Sequence, residues 1–347
     1  MLYLYIILVF YTLLCSTREL ARGPRPYYSH QKWVRQILTL VFIILVFMST
    51  FRPNTLPDYE EYVRIFTLDE LSDVRYEIGD VIVIRTIRLF TNNPLVFFFL
   101  FGLVGIGMKL YLIKRYSPSV FLSTTVYLTG FFILLDMIQV RNSIAISFYL
   151  FAIIYRWKCD WKKFWLFATL SFMFHYSAIV VFALAFLHPQ KRLNLYKWAI
   201  PISYFMAIVM KLTLGHLAGG LGGAYAALFA QMENDVDSKI NLFNSVAIMR
   251  IIIFYVIFYC HDEIALKYPQ VTLMLKVYAV AICSFPLLSD FPAISGRLNH
   301  FLSAVEILLI PSMIYITSIK RALPRLLIYA YTIGCVIIFY FSDNNKL

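Results

Sequence analysis

The segment 164-FWLFATLSFMFHYSAIVVFALAFL-187 decides how this chain is folded. Its 24 residues are enough for one membrane crossing, which needs about 20 apolar residues. They can equally form two short halves that meet at His175. The charges on either side choose between these readings. If the segment crosses once, the Lys191 and Lys320 clusters fall outside and the acidic stretch Glu233, Asp235 and Asp237 falls inside. If it turns back near His175–Ser177, every basic cluster shares one side and both acidic loops share the other. Basic residues concentrate in cytoplasmic loops, so the second arrangement is preferred. A broken helix within the bilayer needs protein or a wet cavity to satisfy its freed backbone groups, and this already marks His175 as a site.

The rest of the chain has the composition this reading requires. Of 347 residues, 61% are apolar or aromatic and 14% are charged. A soluble chain would carry roughly 45–50% and 25%. A mean hydropathy of +0.74 is more apolar surface than a water-soluble fold of this length could bury. Disorder, a nucleic-acid-binding arm and a disulfide scaffold are excluded for the whole chain. The net charge of +12 sits in short clusters between apolar runs and orients the chain, so no nucleic-acid partner is expected. The five cysteines are odd in number, have no CxxC spacing and mostly lie in apolar runs, so neither metal nor disulfide is expected.

The sequence therefore predicts an all-α polytopic membrane protein, a single membrane-embedded domain over 1–347. It has about 11–12 transmembrane segments, counting the broken or re-entrant pair near His175. Candidate spans lie at 2–15, 36–51, 93–113, 118–135, 140–155, 164–187, 198–214, 244–260, 271–288, 298–317 and 326–341. The first has neither a basic leader nor a small-residue cleavage site, and is read as a retained span. The outer loop 52–92 holds two amphipathic stretches, one from Tyr59 to Phe66 and one from Ile78 to Leu89. They are expected as helices on the outer membrane surface. The glycine-rich 215–243 is expected as a second outer loop.

Ionisable groups at bilayer depth need a partner or a task, since each costs at least about 2.5 kcal/mol to insert. Arg141, His175, Arg250 and Arg297 stand out. Arg250 is the most expensive, and its partner cannot be named from sequence. Arg52, Asp58, Glu77, Arg141, His175 and Arg297 all map to the outer side. Two guanidinium forks, Arg141 and Arg297, suit an anionic phosphate headgroup. A nearby carboxylate or histidine (Asp58, Glu77 or His175) could take a proton from an attacking hydroxyl. No Walker loop, GxGxxG, HExxH or CxxC is present, and the lone Asp235-Val-Asp237 is a chance-level match, so no cofactor or metal is expected. Outside the cytoplasm group transfer needs a membrane-borne donor, and a lipid pyrophosphate fits.

Five pieces, in order along the chain, resemble the EpsG/Wzy-type family of bacterial polysaccharide (O-antigen or exopolysaccharide) polymerases. They are Arg52…Asp58…Tyr62, Glu77-x-Gly79, Arg141-Asn142-x-Ile144-Ala145, Phe174-His175-x-Ser177-Ala178 and Arg297…Phe301. Asn142 and Phe301 depart from the more usual glutamine and tyrosine. The resemblance implies a GT-C-like membrane glycosyltransferase joining repeat units carried on undecaprenyl pyrophosphate. Its site would face the periplasm or cell exterior from the bacterial cytoplasmic membrane, and a chain-length regulator protein is an implied partner. By that analogy Arg141 and Arg297 hold the donor pyrophosphate, and His175 or Asp58 is the base. Glu77 orients, Tyr62 contacts sugar, and Arg52, Asn142, Ser177 and Asn299 join the substrate-binding set. Two alternatives stay open: a membrane O-acyltransferase acting on surface glycans, and a flippase for lipid-linked oligosaccharides.

Overall fold

The computed structural model describes residues 2–21, 32–67, 77–191, 193–218, 241–289, 291–316 and 326–335. These are helical throughout, with short connections. Most of the second outer loop (219–240), Arg192 and the end of the last candidate span lie outside the described residues. Among the described residues five helices are long and apolar enough to cross a membrane: Lys32–Thr50, Pro94–Tyr116, Val120–Ile138, Leu193–Met210 and Ile294–Tyr315. The expected spans 244–260 and 271–288 become the shorter apolar helices Ser245–Tyr259 and Val271–Leu287.

Helix α1 (Leu2–Ala21) packs on α6 (Val120–Tyr127), which runs on as a π-helical stretch, Leu128–Ile138. Tyr5 Oη donates to the Leu128 carbonyl (2.7 Å) across that seam. Helix α2 (Lys32–Thr50) lies along α5 (Pro94–Tyr116), and α5 lies along α7 (Val140–Trp157). Caps set the starts. Asn93 accepts from the Leu95 amide ahead of Pro94, and Asp160 accepts from Lys163 at the head of α8 (Trp161–Phe174). Cys159, at φ 58°, makes the left-handed turn between α7 and α8.

Helix α8 stops at Phe174. His175 is extended (φ −160°), and a broken helical segment, α9 (Tyr176–Phe186), follows. This segment folds back along α8: Phe182 packs on Trp165 and Phe172, and the Ala185 carbonyl accepts from Arg156 Nη2 (3.2 Å) near the end of α7. The chain thus returns to the end it left. The pair 164–187 is re-entrant, with His175 at its tip.

Further along the chain lie α10 (Tyr196–Ala218), α11 (Ser245–Tyr259), α12 (His261–Ala265), α13 (Val271–Leu287), α14 (Pro292–Ser303), α15 (Glu306–Leu309) and α16 (Leu326–Cys335). Helix α13 is their centre, packed by α10, α11 and α14.

One ion pair is fully buried in this body, where low dielectric makes an unpaired charge costly. Lys109 Nζ reaches Asp136 Oδ1 (3.0 Å) and Ser143 Oγ (2.6 Å), while Tyr127 Oη donates to Asp136 Oδ2 (2.6 Å). The pair ties α5 to the end of the π-helical stretch and the start of α7.

Helices α3 (Tyr59–Thr67) and α4 (Ile78–Arg88) form where the amphipathic pattern places them. Their apolar faces turn onto the aromatic side chains of α5. Tyr62, Ile65 and Phe66 of α3, with Ile84 and Ile87 of α4, bury against Phe97, Phe98 and Phe101 of α5. On α4 the flank that carries Ile78 and Ile82 remains exposed.

Candidate active site

Glu77 precedes the first turn of α4, and its position depends on a glycine two residues later. A Cβ on Gly79 would stand 2.9 Å from the Met173 carbonyl oxygen, so only glycine lets α4 approach the end of α8 this closely. That approach brings Glu77 to His175: Glu77 Oε1 and His175 Nδ1 are 3.1 Å apart. The other oxygen, Oε2, accepts from Arg141 Nη1 at 2.9 Å in the first turn of α7. One carboxylate thus holds a cation and an imidazole that lie 64 and 98 residues further along the chain. Glu77 is 9% exposed, His175 19% and Arg141 26%, so the cluster is enclosed but reachable. The Arg141 guanidinium also lies over the Tyr62 ring, 5.5 Å from its centroid.

Electrostatics fix the proton positions. Burial pushes the Glu77 carboxyl up, but the His175 hydrogen bond and the Arg141 charge outweigh it and hold the group below its ordinary value. Glu77 is therefore an ionised acceptor at neutral pH, and His175 Nδ1 must be the donor between them. With that proton on Nδ1, Nε2 is the nitrogen left to exchange a proton with substrate, and it makes no hydrogen bond to a described residue. One turn on, Asp80 is fully buried, and neither of its carboxylate oxygens has a partner among the described residues. Burial raises its carboxyl to about 8, opposed by Arg141 and reinforced by Glu77. The two carboxyls of α4 are thus held in opposite states, one ionised and one protonated.

The other expected residues fall into three groups. Asn142 is beside the cluster, buried, donating to Gln139 Oε1 (2.9 Å), with no partner for its own Oδ1 among the described residues. Ser177 lies half-buried in the turn after His175. Asp58 is exposed at the head of α3, with φ 65°. Arg52 is buried, donating to the Ser49 carbonyl (2.8 Å), the Met137 carbonyl (2.6 Å) and Ser49 Oγ (3.1 Å), and stacked on Phe98. It clamps the end of α2 to the end of the π-helical stretch. Arg297 and Asn299 are on α14, whose helix packs against the Tyr176–Ile179 turn. Arg297 is exposed and outside the Glu77 cluster.

Asn299 belongs to a second buried network. Arg250 Nε donates to Glu306 Oε1 (2.8 Å), and Arg250 Nη1 to Asn299 Oδ1. Tyr331 Oη donates to Glu306 Oε2, and Asn299 Nδ2 to the Ala281 carbonyl (2.7 Å). Glu306 is thus the carboxylate partner that sequence could not name for Arg250. The network borders a cavity of about 340 Å³ lined by Tyr204, Asn244, Ser245, Arg250, Asn299 and His300. Tyr204 Oη and His300 Nδ1 have no partner among the described residues. Unpaired polar atoms beside aromatic rings suit an uncharged, hydroxyl-rich ligand. Among the described residues no three His, Cys, Asp or Glu side chains gather as a metal site.

The EpsG family profile matches residues 36–346, nearly the whole chain. The chain belongs to the EpsG family. Membership points to a polysaccharide-polymerase type of function in a multi-pass membrane protein. No curated protein and no solved structure matches the chain. The matched EpsG region contains the Glu77–Arg141–His175 cluster, the Arg250 network and the cavity between α10, α11, α13 and α14.

Proposed function

We propose that this EpsG-family chain is a polysaccharide polymerase. It joins oligosaccharide repeat units carried on undecaprenyl pyrophosphate at the outer face of the bacterial cytoplasmic membrane, with a chain-length regulator protein as partner. The observation that carries the reading is the Glu77 carboxylate bridging Arg141 and His175. A carboxylate on Nδ1 fixes the imidazole in the tautomer whose Nε2 accepts a proton.

In the reaction, an acceptor sugar hydroxyl attacks the anomeric carbon of the donor glycan. The new C–O bond forms as the bond from that carbon to the lipid pyrophosphate breaks. The hydroxyl proton passes to His175 Nε2, and the pyrophosphate leaves with the bonding electrons. Glu77 stabilises the imidazolium that results. Arg141, partly exposed beside it, and Arg297, on the helix that packs against the His175 turn, are the cations for the leaving pyrophosphate. The cavity beside Asn299 takes sugar. Tyr62 supports Arg141 from below, and Arg52 acts as a clamp on the helix ends. Asp58, exposed at the head of α3, stays the alternative base, reached only by a substrate that enters over that helix.

The full-length protein purified in detergent, given lipid-linked single repeat units, tests this. Growth into a ladder of longer lipid-linked chains is expected. A flippase gives no lengthening without a bilayer to cross, and an O-acyltransferase adds acyl mass without changing chain length. Either of those outcomes overturns the proposal.

A further inference from the structure

A second charged concavity lies at the other end of the bundle from Glu77. Helix α7 carries Arg141 in its first turn and Trp157 as its last residue, and 16 positions at 1.5 Å separate them by about 24 Å. At that far end is a cavity of about 350 Å³. Its rim carries Lys114 and Arg115 from the last turn of α5, Lys158 from the cap of α7, and Lys267 from the turn between α12 and α13.

Four cations from three separate elements face one space, and none has an ion pair among the described residues. The one carboxylate in the lining, Glu19, is already engaged. It accepts from Ser119 Oγ (2.8 Å) and from the Val120 and Phe121 amides (3.0 and 3.1 Å) at the start of α6. Aromatic rings orient the cations without neutralising them. Lys158 Nζ donates to Tyr116 Oη (2.9 Å) and lies over that ring, and Lys267 Nζ lies over Tyr315. Like charges gathered round a concavity repel one another until an anion enters, and the repulsion makes a multiply charged anion the best occupant. Basic pockets between membrane helices hold phosphorylated headgroups for this reason.

We propose that this cavity binds a phosphate-bearing anion of two or more charges, joining the ends of α5 and α7 and the α12–α13 turn on the face opposite the Glu77 cluster. Its source is either the headgroup of an acidic membrane lipid or a soluble diphosphate. The inference does not depend on the glycosyl-transfer reading.

The full-length protein in detergent is titrated with dihexanoyl phosphatidic acid and, separately, with inorganic pyrophosphate. The cavity variant is Lys114→Gln/Lys158→Gln. The control, Lys162→Gln/Lys163→Gln, loses the same charge from the first turn of α8, outside the lining. Saturable binding is expected in wild type and control, and it should weaken roughly 25-fold in the cavity variant, at about five-fold per basic residue. Binding of the lipid alone assigns a headgroup, of pyrophosphate alone a soluble anion, and of both in competition the shared phosphate chemistry. All three support the proposal. It is overturned if neither probe saturates, or if the cavity and control variants weaken equally. Should the double variant fail to fold, Lys267→Gln, at an exposed position, replaces it with the same expectation at about five-fold.

Discussion

Glu77→Gln is the sharpest perturbation of the proposed centre. The carboxylate accepts from Arg141 at 2.9 Å and from His175 at 3.1 Å. A guanidinium can only donate, so the amide oxygen of the glutamine must face Arg141 and its NH₂ must face His175 Nδ1. Nδ1 then has to accept, the imidazole proton moves to Nε2, and the nitrogen that should take the acceptor's proton becomes a donor. The full contribution of a general base, about 10²–10⁴-fold in kcat, is at risk, while KM for the lipid-linked unit should change little. Stability should fall by about 1–2 kcal/mol, less than the 3–5 kcal/mol of a fully buried pair, because Arg141 is 26% exposed. The assay is elongation of lipid-linked units in detergent, read as chain length against time, beside a thermal unfolding curve. Glu61→Gln is the control, since its pair with Arg64 is solvent-exposed and worth no more than about 1 kcal/mol. A folded Glu77→Gln protein with wild-type kcat would refute the role of the carboxylate.

Three further outcomes are expected. Asp80 is held protonated up to about 8, against 3.8 ordinarily, so between those values the unfolded chain binds fewer protons than the folded one. Stability from this group therefore falls as pH rises from near 4 to 8, by something of the order of 4 kcal/mol at pH 7. The apparent Tm of Asp80→Asn minus that of wild type should climb across that window, and a flat difference would show that Asp80 is ionised in the folded protein. Gly79→Ala forces a methyl against the Met173 carbonyl, which cannot move aside as a flexible side chain would. It should destabilise by about 1–3 kcal/mol and slow elongation by parting Glu77 from His175, as thermal unfolding and chain-length analysis would register. In variants carrying one cysteine each, Ile82→Cys on α4 should react with an impermeant thiol reagent in intact cells. Native Cys159, exposed between α7 and α8, should react only after permeabilisation, and the reverse pattern would invert the orientation.

Much of this architecture was legible in the sequence because membranes punish misplaced charge. The break at His175 could be read from the parity of basic clusters, since only a returning segment keeps Arg156 and Lys191 at one end. Helices α3 and α4 were legible from period alone, but the protein partner of their apolar faces was not, because an amphipathic pattern does not name Phe97 and Phe98. Glu77, Arg141 and His175 could be nominated one by one; their joining was invisible, since it depends on how closely Gly79 lets two helices approach. Arg52 enters the substrate-binding set only through the family resemblance, and its hydrogen bonds to the Ser49 and Met137 carbonyls are contacts that no side-chain pattern records. Glu306 was overlooked as the partner of Arg250 because 56 residues separate them. Its signal was available: a lone carboxylate in the apolar run 298–317 must find a cation. Asp80 gave no such signal among the acidic residues of a loop expected to be solvated.

The most direct test of the proposed centre is a double-mutant cycle on elongation, with Glu77→Gln, His175→Ala and the two combined. If the carboxylate acts by setting the imidazole, the double variant should be no slower than His175→Ala, because Glu77 has nothing left to orient. Two losses that multiply would mean that Glu77 and His175 contribute separately, and the bridged cluster would not be the unit that transfers the glycan.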